Sequence, residues 1–373
     1  MRIIVTGGGT GGHVYPALAI ARGLRQVKPD AMITFLGTER GLEADVVPRA
    51  GFPLVTITVR GLERRCIWKN VPALIQISRG LGQAWLQVKR LQPQAVVGTG
   101  GYVSGPVCLA AALQGIPVIL HEQNAFPGLT NRWLARLARR VCLTFPEAVP
   151  YFPRSARLLT TGLPVRPEIL TADRQACRQQ LGLPAEQLLV LIVGGSQGAR
   201  SINQAMLALY SKLAGRRQVR FIHITGRRDY EAYLGQLQGM GIDLEECGNI
   251  SIKPYAYDME QLLAAADLVI GRAGASFLAE VLVRGLPSVL VPYPYAAANH
   301  QEYNARAVAA KGAAVLILDR ELKTGRLAQV VDTLLSDTGR LKAMAAAASG
   351  LGRPEALEAI IKVVLEEAAS CRA

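Results

Sequence analysis

No apolar run in these 373 residues reaches the roughly 18 that a membrane-spanning helix requires, which excludes an integral helical membrane protein. The opening residues, MRIIVTGGG, read as a strand entering a glycine turn. They lack the apolar stretch and small-residue cleavage site of a secretory leader, and none is expected. Cysteines number only six (Cys66, Cys108, Cys142, Cys177, Cys247 and Cys371), scattered and without a C-x-x-C pair. They are expected to be reduced, mostly buried thiols of an intracellular protein. Aromatic residues are 6 % of the chain, and the stacking side chains expected of a single-strand nucleic-acid binder are lacking. What is abundant is Ala, Leu and Val. Half the residues are apolar, and the length suffices for two α/β domains of ordinary size.

The formal charge of +14 is unevenly spread. Residues 1–162 carry 19 Lys/Arg against 7 Asp/Glu, a balance of +12; residues 163–373 carry 23 against 21, only +2. A basic first part beside a nearly neutral second part points to an anionic partner of the first. Nucleic acid, an anionic membrane surface and a phosphorylated substrate all fit that charge.

Short apolar runs alternate with helical stretches throughout. Arg2–Thr6, Ile33–Leu36, Leu54–Val59, Ala95–Val97 and Pro117–Leu120 read as strands, with helices at HVYPALAIARGLRQV, VCLAAALQG and LTNRWLARLARR. The pattern restarts at Leu188–Val193, a fully apolar strand, and continues through Val219–Thr225, Leu268–Ile270 and Ser288–Val291. Such alternation predicts parallel sheets covered by helices on both faces. Gly162–Asp173, with two prolines and no periodicity, reads as the linker. The expected domains are 1–162 and 163–349, with a last helix within 350–373 that crosses back to the first.

Four loops at strand ends carry the chemistry. VTGGGTGGH (Val5–His13) has five glycines among six residues, more than a turn requires and suited to close approach of a ligand to backbone. Its G-x-G-x-x-G spacing fits a dinucleotide site, but the second strand ends in Gly37 where an NAD site expects an acidic residue. VGGSQGARSIN offers Gly194, Gly195 and Gly198 at a helix N-terminus, with Ser196 and Gln197 as side-chain donors; this suits a diphosphate. It is not a Walker loop, because no Lys-Ser/Thr pair follows the glycines. GRAGASFLAE opens another helix and holds Glu280, a carboxylate able to accept two hydrogen bonds from a ribose diol. PYPYAAANHQEYN brings Asn299, His300, Gln301 and Asn304, a polar run suited to sugar hydroxyls or to a plain surface loop.

In order and spacing, GGTGGH, GTGGYVSGP, HEQN (His121–Asn124) with PGLTNR, GGSQGAR and the Arg272–Glu280 block resemble the MurG family, bacterial N-acetylglucosaminyltransferases of peptidoglycan synthesis. The resemblance covers nearly the whole chain. It implies the GT-B fold, two Rossmann-like α/β domains facing across a cleft. It also implies inverting transfer of GlcNAc from UDP-GlcNAc to the MurNAc C4 hydroxyl of undecaprenyl-pyrophosphoryl-MurNAc-pentapeptide, converting lipid I to lipid II. By that resemblance Thr10, Gly11, Gly12 and Asn124 lie against the GlcNAc. Arg166, Ser196, Gln197 and Gly198 approach the diphosphate, Tyr255 reads the uracil, and Ala275, Ser276 and Glu280 hold the donor, Glu280 at the ribose. Gln301 touches the sugar, and His13 is the catalytic histidine. Two positions depart from the family pattern: Ala273 stands where R-S-G-A has Ser, and Leu163 where G-N-P-V-R has Asn.

The chain has no D-x-D motif, with which many sugar transferases hold a metal on the donor diphosphate. No metal and no cofactor are expected; amides, helix dipoles and Arg166 would neutralise departing UDP. A neutral His13 suits removal of the acceptor's hydroxyl proton, its alternative being a helix-capping histidine that only orients the acceptor. Arg60–Arg90 carries seven Lys/Arg and one Glu, interleaved with Trp68, Ile75, Ile77, Trp85 and Leu86. This suits a peripheral seat on the anionic, cytoplasmic face of the cell membrane, against the simpler reading of a buried helix face. Nucleic acid is not expected as a partner, since it leaves the paired loops unexplained. A diacylglycerol glycosyltransferase is the nearer alternative and an NAD-linked oxidoreductase the more distant one.

Overall fold

The computed structural model describes residues 1–59, 71–195 and 197–370, the side chains of 71–77 excepted. Its contacts divide into two units, Met1–Pro164 with Pro354–Ala373, and Val165–Arg353. The first holds β1 (Arg2–Thr6), β2 (Met32–Gly37), β3 (Leu54–Thr56), β4 (Ala95–Gly98), β5 (Val118–Glu122), β6 (Arg140–Leu143) and β7 (Leu158–Thr160). They form one parallel sheet in the order β3-β2-β1-β4-β5-β6-β7. The second holds β8 (Leu188–Val193), β9 (Val219–Ile224), β10 (Ile250–Lys253), β11 (Leu268–Gly271), β12 (Ser288–Leu290) and β13 (Ala314–Leu316), also all parallel, in the order β10-β9-β8-β11-β12-β13.

The near-continuous apolar runs are explained by burial on both faces, because successive strand residues point to opposite sides. Ile3, Val5, Ala95, Val97 and Ile119 face the layer of Gly11–Val27 and Ala356–Ser370. Ile4, Val96, Val118 and Leu120 face the layer that includes Ala84, Val107 and Leu134. In the second unit Val190 and Ile192 join one core, and Leu189, Leu191 and Val193 the other.

Strand β6 corrects the sequence reading. LTNRWLARLARR was expected as one helix, but only Leu129–Leu134 is helical and Arg140 already starts a strand. The third strand also stops at Thr56 rather than Val59, and the linker contains a short helix, Pro167–Thr171. Cys108, Cys142 and Cys177 are free, buried thiols; burial pushes Cys108 and Cys142 up to about 12, which keeps them unreactive. Cys66 and Cys371 lie outside the described residues.

Each sheet has one point where the strand order reverses, between β1 and β4 and between β8 and β11. Ligands of open parallel sheets bind outside the strands' carboxyl ends at such points, where neighbouring loops splay apart. Both glycine loops sit there.

The closing helix Ala356–Ser370 belongs to the first unit, where Ile360 and Val364 are fully buried against the Gly11–Val27 layer. Gly23 admits that contact, since a Cβ there would press on Ile361 and Leu357. Ile360→Ala should destabilise the first unit by about 2–5 kcal/mol through the cavity it leaves. In denaturant unfolding the transition of the first unit should move to lower denaturant with that of the second unchanged; equal shifts, or none, would count against this docking.

Candidate active site

In the first unit, parallel register brings the ends of β1, β4 and β5 side by side, with Thr6 beside Gly98 and Gly98 beside Leu120. The loops that follow therefore interlock. A side chain at Gly7 would run into Thr99, and one at Gly101, where φ is +84°, into the Gly8 carbonyl. The buried Glu43 secures the loop from the other side, accepting from the Gly9 amide at 3.0 Å and from the Thr38 hydroxyl at 2.7 Å.

The helix Gly11–Val27 starts directly after this loop. Thr10 caps it through its carbonyl, which accepts from His13 and Val14, with no side-chain cap. Gly11 and Gly12 form the first helical positions, and Gly12 is exposed. His13 follows, half-buried, its backbone carbonyl accepting from the Thr99 hydroxyl at 2.8 Å.

The ring of His13 is oriented by acceptors. Nδ1 lies 3.0 Å from the Thr99 carbonyl and 3.2 Å from Gln123 Oε1. A carbonyl can only accept, so Nδ1 carries a proton, and in the neutral ring the lone pair is on Nε2. Gln123 is itself fixed, its amide nitrogen donating to the Thr99 carbonyl at 2.9 Å and to His121 Nδ1 at 3.0 Å. His121 Nε2 in turn donates to the Gly162 carbonyl at 3.0 Å. The order runs Gly162, His121, Gln123, His13, and each link dictates the next proton position.

HEQN thus does more than present Asn124. Glu122 is buried and accepts from the Asn124 and Gly128 amides, both at 3.0 Å, and from Asn131 Nδ2 at 2.9 Å. Asn124 is half-buried at the end of this turn. Glu43 was not singled out from the sequence, and Thr99, Glu122 and Gln123 were noticed only as parts of GTGGYVSGP and HEQN. The signal available was a carboxylate and an amide directly at strand ends, where burial requires partners.

In the second unit, the loop after β8 turns sharply into the helix Arg200–Leu213. Gly198 has φ of +77°, and a side chain there would collide with the Thr225 carbonyl; the Gly198 amide donates to Gly195 at 2.9 Å. Gln197 is exposed beside it, and Ser196 lies outside the described residues. Ala199 caps the helix without a side-chain acceptor, so the first amides have no side-chain cap, an arrangement favourable to an anion. The helix Ala275–Val283 starts in the same manner behind Gly274, with Ser276 exposed.

Arg166 and Glu280, 114 residues apart, meet in a bidentate pair: Nε to Oε1 at 2.8 Å and a terminal nitrogen to Oε2 at 3.2 Å. The hydrogen bond that Arg166 donates to Glu280, with burial opposing, raises the Arg166 guanidinium further above its ordinary value. Tyr255 is exposed, with its ring centroid 4.8 Å from that of Tyr257, and the Arg227 guanidinium lies 5.1 Å from the Tyr255 ring. Gln301 accepts from the Tyr293 amide at 2.9 Å, pinning the loop before its helix. That loop holds Ala298 and Asn299 both at positive φ, +52° and +56°, a strained conformation typical of binding loops.

One reading of the polar run changes. Asn304 is fully buried and donates to the Ala273 carbonyl at 3.2 Å, so it ties the helix His300–Ala310 to the loop after β11 rather than meeting a sugar. Asn299 donates to Glu302 at 2.6 Å. Arg272 is also structural, bonded to Asp319 at 2.6 Å and to Ser201 at 2.8 Å. The family-pattern departure at Ala273 sits in a fully buried position.

Comparison with known proteins agrees across the whole chain. Residues 3–143 match the glycosyltransferase family 28 N-terminal domain and residues 189–360 its C-terminal domain. A UDP-N-acetylglucosamine--N-acetylmuramyl-(pentapeptide) pyrophosphoryl-undecaprenol N-acetylglucosamine transferase of Moorella thermoacetica is 71 % identical over 98 % of this chain and 99 % of its own. Its namesake from Desulforamulus reducens is 52 % identical, covering 98 % of both. The crystal structure of Acinetobacter baumannii MurG superposes with a TM-score of 0.81 at 33 % identity, over 98 % of this chain and 99 % of that one. A UDP-GlcNAc 2-epimerase from Neisseria meningitidis bound to UDP-GlcNAc shares the fold, with a TM-score of 0.66 at 15 % identity over 98 % of this chain and all of that one.

The buried imidazoles make stability acid-sensitive. Burial pushes His121 down to about 4 and His223, in the second unit, down to about 3, from an ordinary 6.5. Below pH 6.5 the unfolded chain therefore binds more protons than the folded one, so stability is full above 6.5 and is lost as pH falls toward 4. Unfolding midpoints at pH 7, 6 and 5 should fall in that order for both units. Constant midpoints would contradict neutral, buried imidazoles.

Proposed function

Since the chain belongs to glycosyltransferase family 28, and within it to the MurG N-acetylglucosaminyltransferases, we propose that it transfers GlcNAc from UDP-GlcNAc to the C4 hydroxyl of MurNAc in undecaprenyl-pyrophosphoryl-MurNAc-pentapeptide, with inversion. The observation that carries this is 71 % identity to a transferase of that name over 98 % of the chain. The residue roles are our reading of the geometry.

The acceptor oxygen attacks the anomeric carbon as the bond from that carbon to the UDP oxygen breaks. His13 Nε2 takes the hydroxyl proton, and UDP leaves as the anion. Supporting this is the Nδ1 proton held by Thr99 and Gln123, which leaves Nε2 as the basic nitrogen. Thr10, Gly11, Gly12 and Asn124 offer polar groups and open backbone beside that ring. In the second unit, the Gln197 amide and the first amides of the helix that follows, with Gly198 giving close approach to backbone and with Arg166 and Ser196, neutralise the diphosphate. Ala275 and Ser276 open a second helix toward the donor. Tyr255 stacks on or reads the uracil, Glu280 accepts from the ribose, and Gln301 faces the sugar. No metal is required in this scheme.

The acceptor is lipid-linked, and no helix among the described residues is long and apolar enough to cross a membrane. We assign contact with the anionic cytoplasmic membrane surface to residues 60–90. Trp85 and Leu86 are exposed on the helix Val71–Leu91, while Arg60–Asn70 lies outside the described residues.

Transfer of labelled GlcNAc to a lipid I analogue should proceed undiminished with a divalent-metal chelator present. His13→Ala should lower turnover by roughly 10²–10⁴-fold with UDP affinity nearly intact. Near-normal turnover would remove the base assignment, and loss of activity on chelation would remove the metal-free scheme. Charge reversal at Arg64, Arg65 and Lys69 should weaken sedimentation with phosphatidylglycerol vesicles; unchanged binding would exclude that segment as the membrane contact.

A further inference from the structure

The pocket that the transfer chemistry leaves unassigned in the first unit has a volume of about 340 Å³ and is lined by Leu129, Arg132, Trp133, Arg136, Tyr151, Phe152 and Pro153. Its composition is unusual for a surface. Trp133 is 70 % exposed and Leu129 53 %, on a short helix whose other side is fully buried. Single exposed apolar residues need no explanation, but an exposed Trp and Leu around a concavity do. Two arginines share the lining, and the Nε–H of Arg132 is buried without a hydrogen-bond partner among the described residues. A buried donor without an acceptor is costly; the same guanidinium, 5.2 Å from the Phe126 ring centre, lines the pocket, and a phosphate oxygen is the acceptor its planar fork suits best. From 126 to 157 the chain carries six Arg and one Glu, so an anion is the only charged ligand favoured.

The same helix reaches the catalytic histidine. Asn131, the residue before Arg132, binds Glu122 at 2.9 Å. A Cβ placed on Gly100 would lie 3.1 Å from the His13 ring and 3.5 Å from Asn131 Nδ2, so the two side chains flank one point. One face of Leu129–Leu134 thus supports the reacting end of the site, and the next residues along it line the pocket.

We propose that this pocket receives the lipid end of the acceptor: a phosphate carried on a long hydrocarbon chain, the phosphate on Arg132 and Arg136 and the first chain carbons between Trp133, Leu129 and Tyr151. This rests on the transfer reaction proposed above, whose acceptor is a prenyl diphosphate ester. It adds a site that holds that ester independently of the sugar. The acceptor's own tail is favoured over a bilayer phospholipid because the pocket adjoins the His13 network through a single helix turn.

The test is calorimetric titration of the full chain with farnesyl diphosphate, a soluble prenyl diphosphate, alongside inorganic diphosphate and phosphatidylglycerol vesicles. Farnesyl diphosphate should bind at least tenfold more tightly than diphosphate. Trp133→Ser and Arg136→Glu, both at exposed positions, should each weaken it tenfold or more. In turnover the same variants should raise KM for a long-chain acceptor and leave KM for UDP-GlcNAc unchanged. Equal binding of inorganic diphosphate, or variants that bind farnesyl diphosphate normally, would overturn the proposal. So would variants that lose only vesicle binding, which would make the surface a bilayer contact. Because binding is read without turnover, a failure of the transfer reaction itself would be seen separately.

Discussion

Backbone approaching backbone at the reversal point of each sheet is the constraint on which the rest depends. Gly101 meets the Gly8 carbonyl in the first unit, and Gly198 meets the Thr225 carbonyl in the second. Neither contact leaves room for a side chain, and each sets the angle at which a helix leaves its strand. In the first unit that angle puts His13 over Thr99. In the second it turns the first amides of Arg200–Leu213 outward. A parallel sheet supplies the splayed strand ends, but the glycines decide how near a ligand can come to backbone dipoles.

The first unit then holds a buried polar network whose cost is offset by nearly complete pairing, the Asn131 amide oxygen being without a hydrogen-bond partner among the described residues. Glu43, Glu122, Gln123 and His121 are all buried, and each bonds to backbone or to another member. Removing one partner would strand several others, since unsatisfied buried groups lose the hydration they had when unfolded. That interdependence makes the His13 tautomer a property of the fold rather than of His13 alone. The imidazole of His121, held neutral by burial, can accept from Gln123 only because its other nitrogen donates to Gly162.

Most strands were legible because burial on both faces leaves an unbroken apolar run, as in Leu188–Val193, whose bounds agree at both ends. Strand β6 was not, because RVCL follows WLARLAR without a break and its helical spacing runs on past the true end at Leu134. Strands β7, β10 and β13 were missed too, being three or four residues long at or near sheet edges. Glycine-rich loops signalled both sites, since only close approach justifies so many glycines. Glu43 and Gln123 gave no such signal, because the contacts that tie them to the site, to Gly9 and to His13, span 34 and 110 residues. The meeting of Arg166 with Glu280 was likewise invisible as a pair, though both residues were named.

That pair bears on the donor contacts proposed above. Glu280 accepts from Arg166 through one lone pair on each oxygen, and each oxygen keeps another. A ribose diol therefore need not displace the arginine; it can share a carboxylate already fixed in orientation. Arg166 retains its full charge, and the terminal nitrogen that Glu280 does not bind lies 4.0 Å from a Glu260 carboxylate oxygen. In the scheme proposed above, one guanidinium orients the ribose acceptor and still carries positive charge toward the diphosphate. Lysine at this position would lose the fork that makes both possible, because a single ammonium cannot span two carboxylate oxygens in a plane.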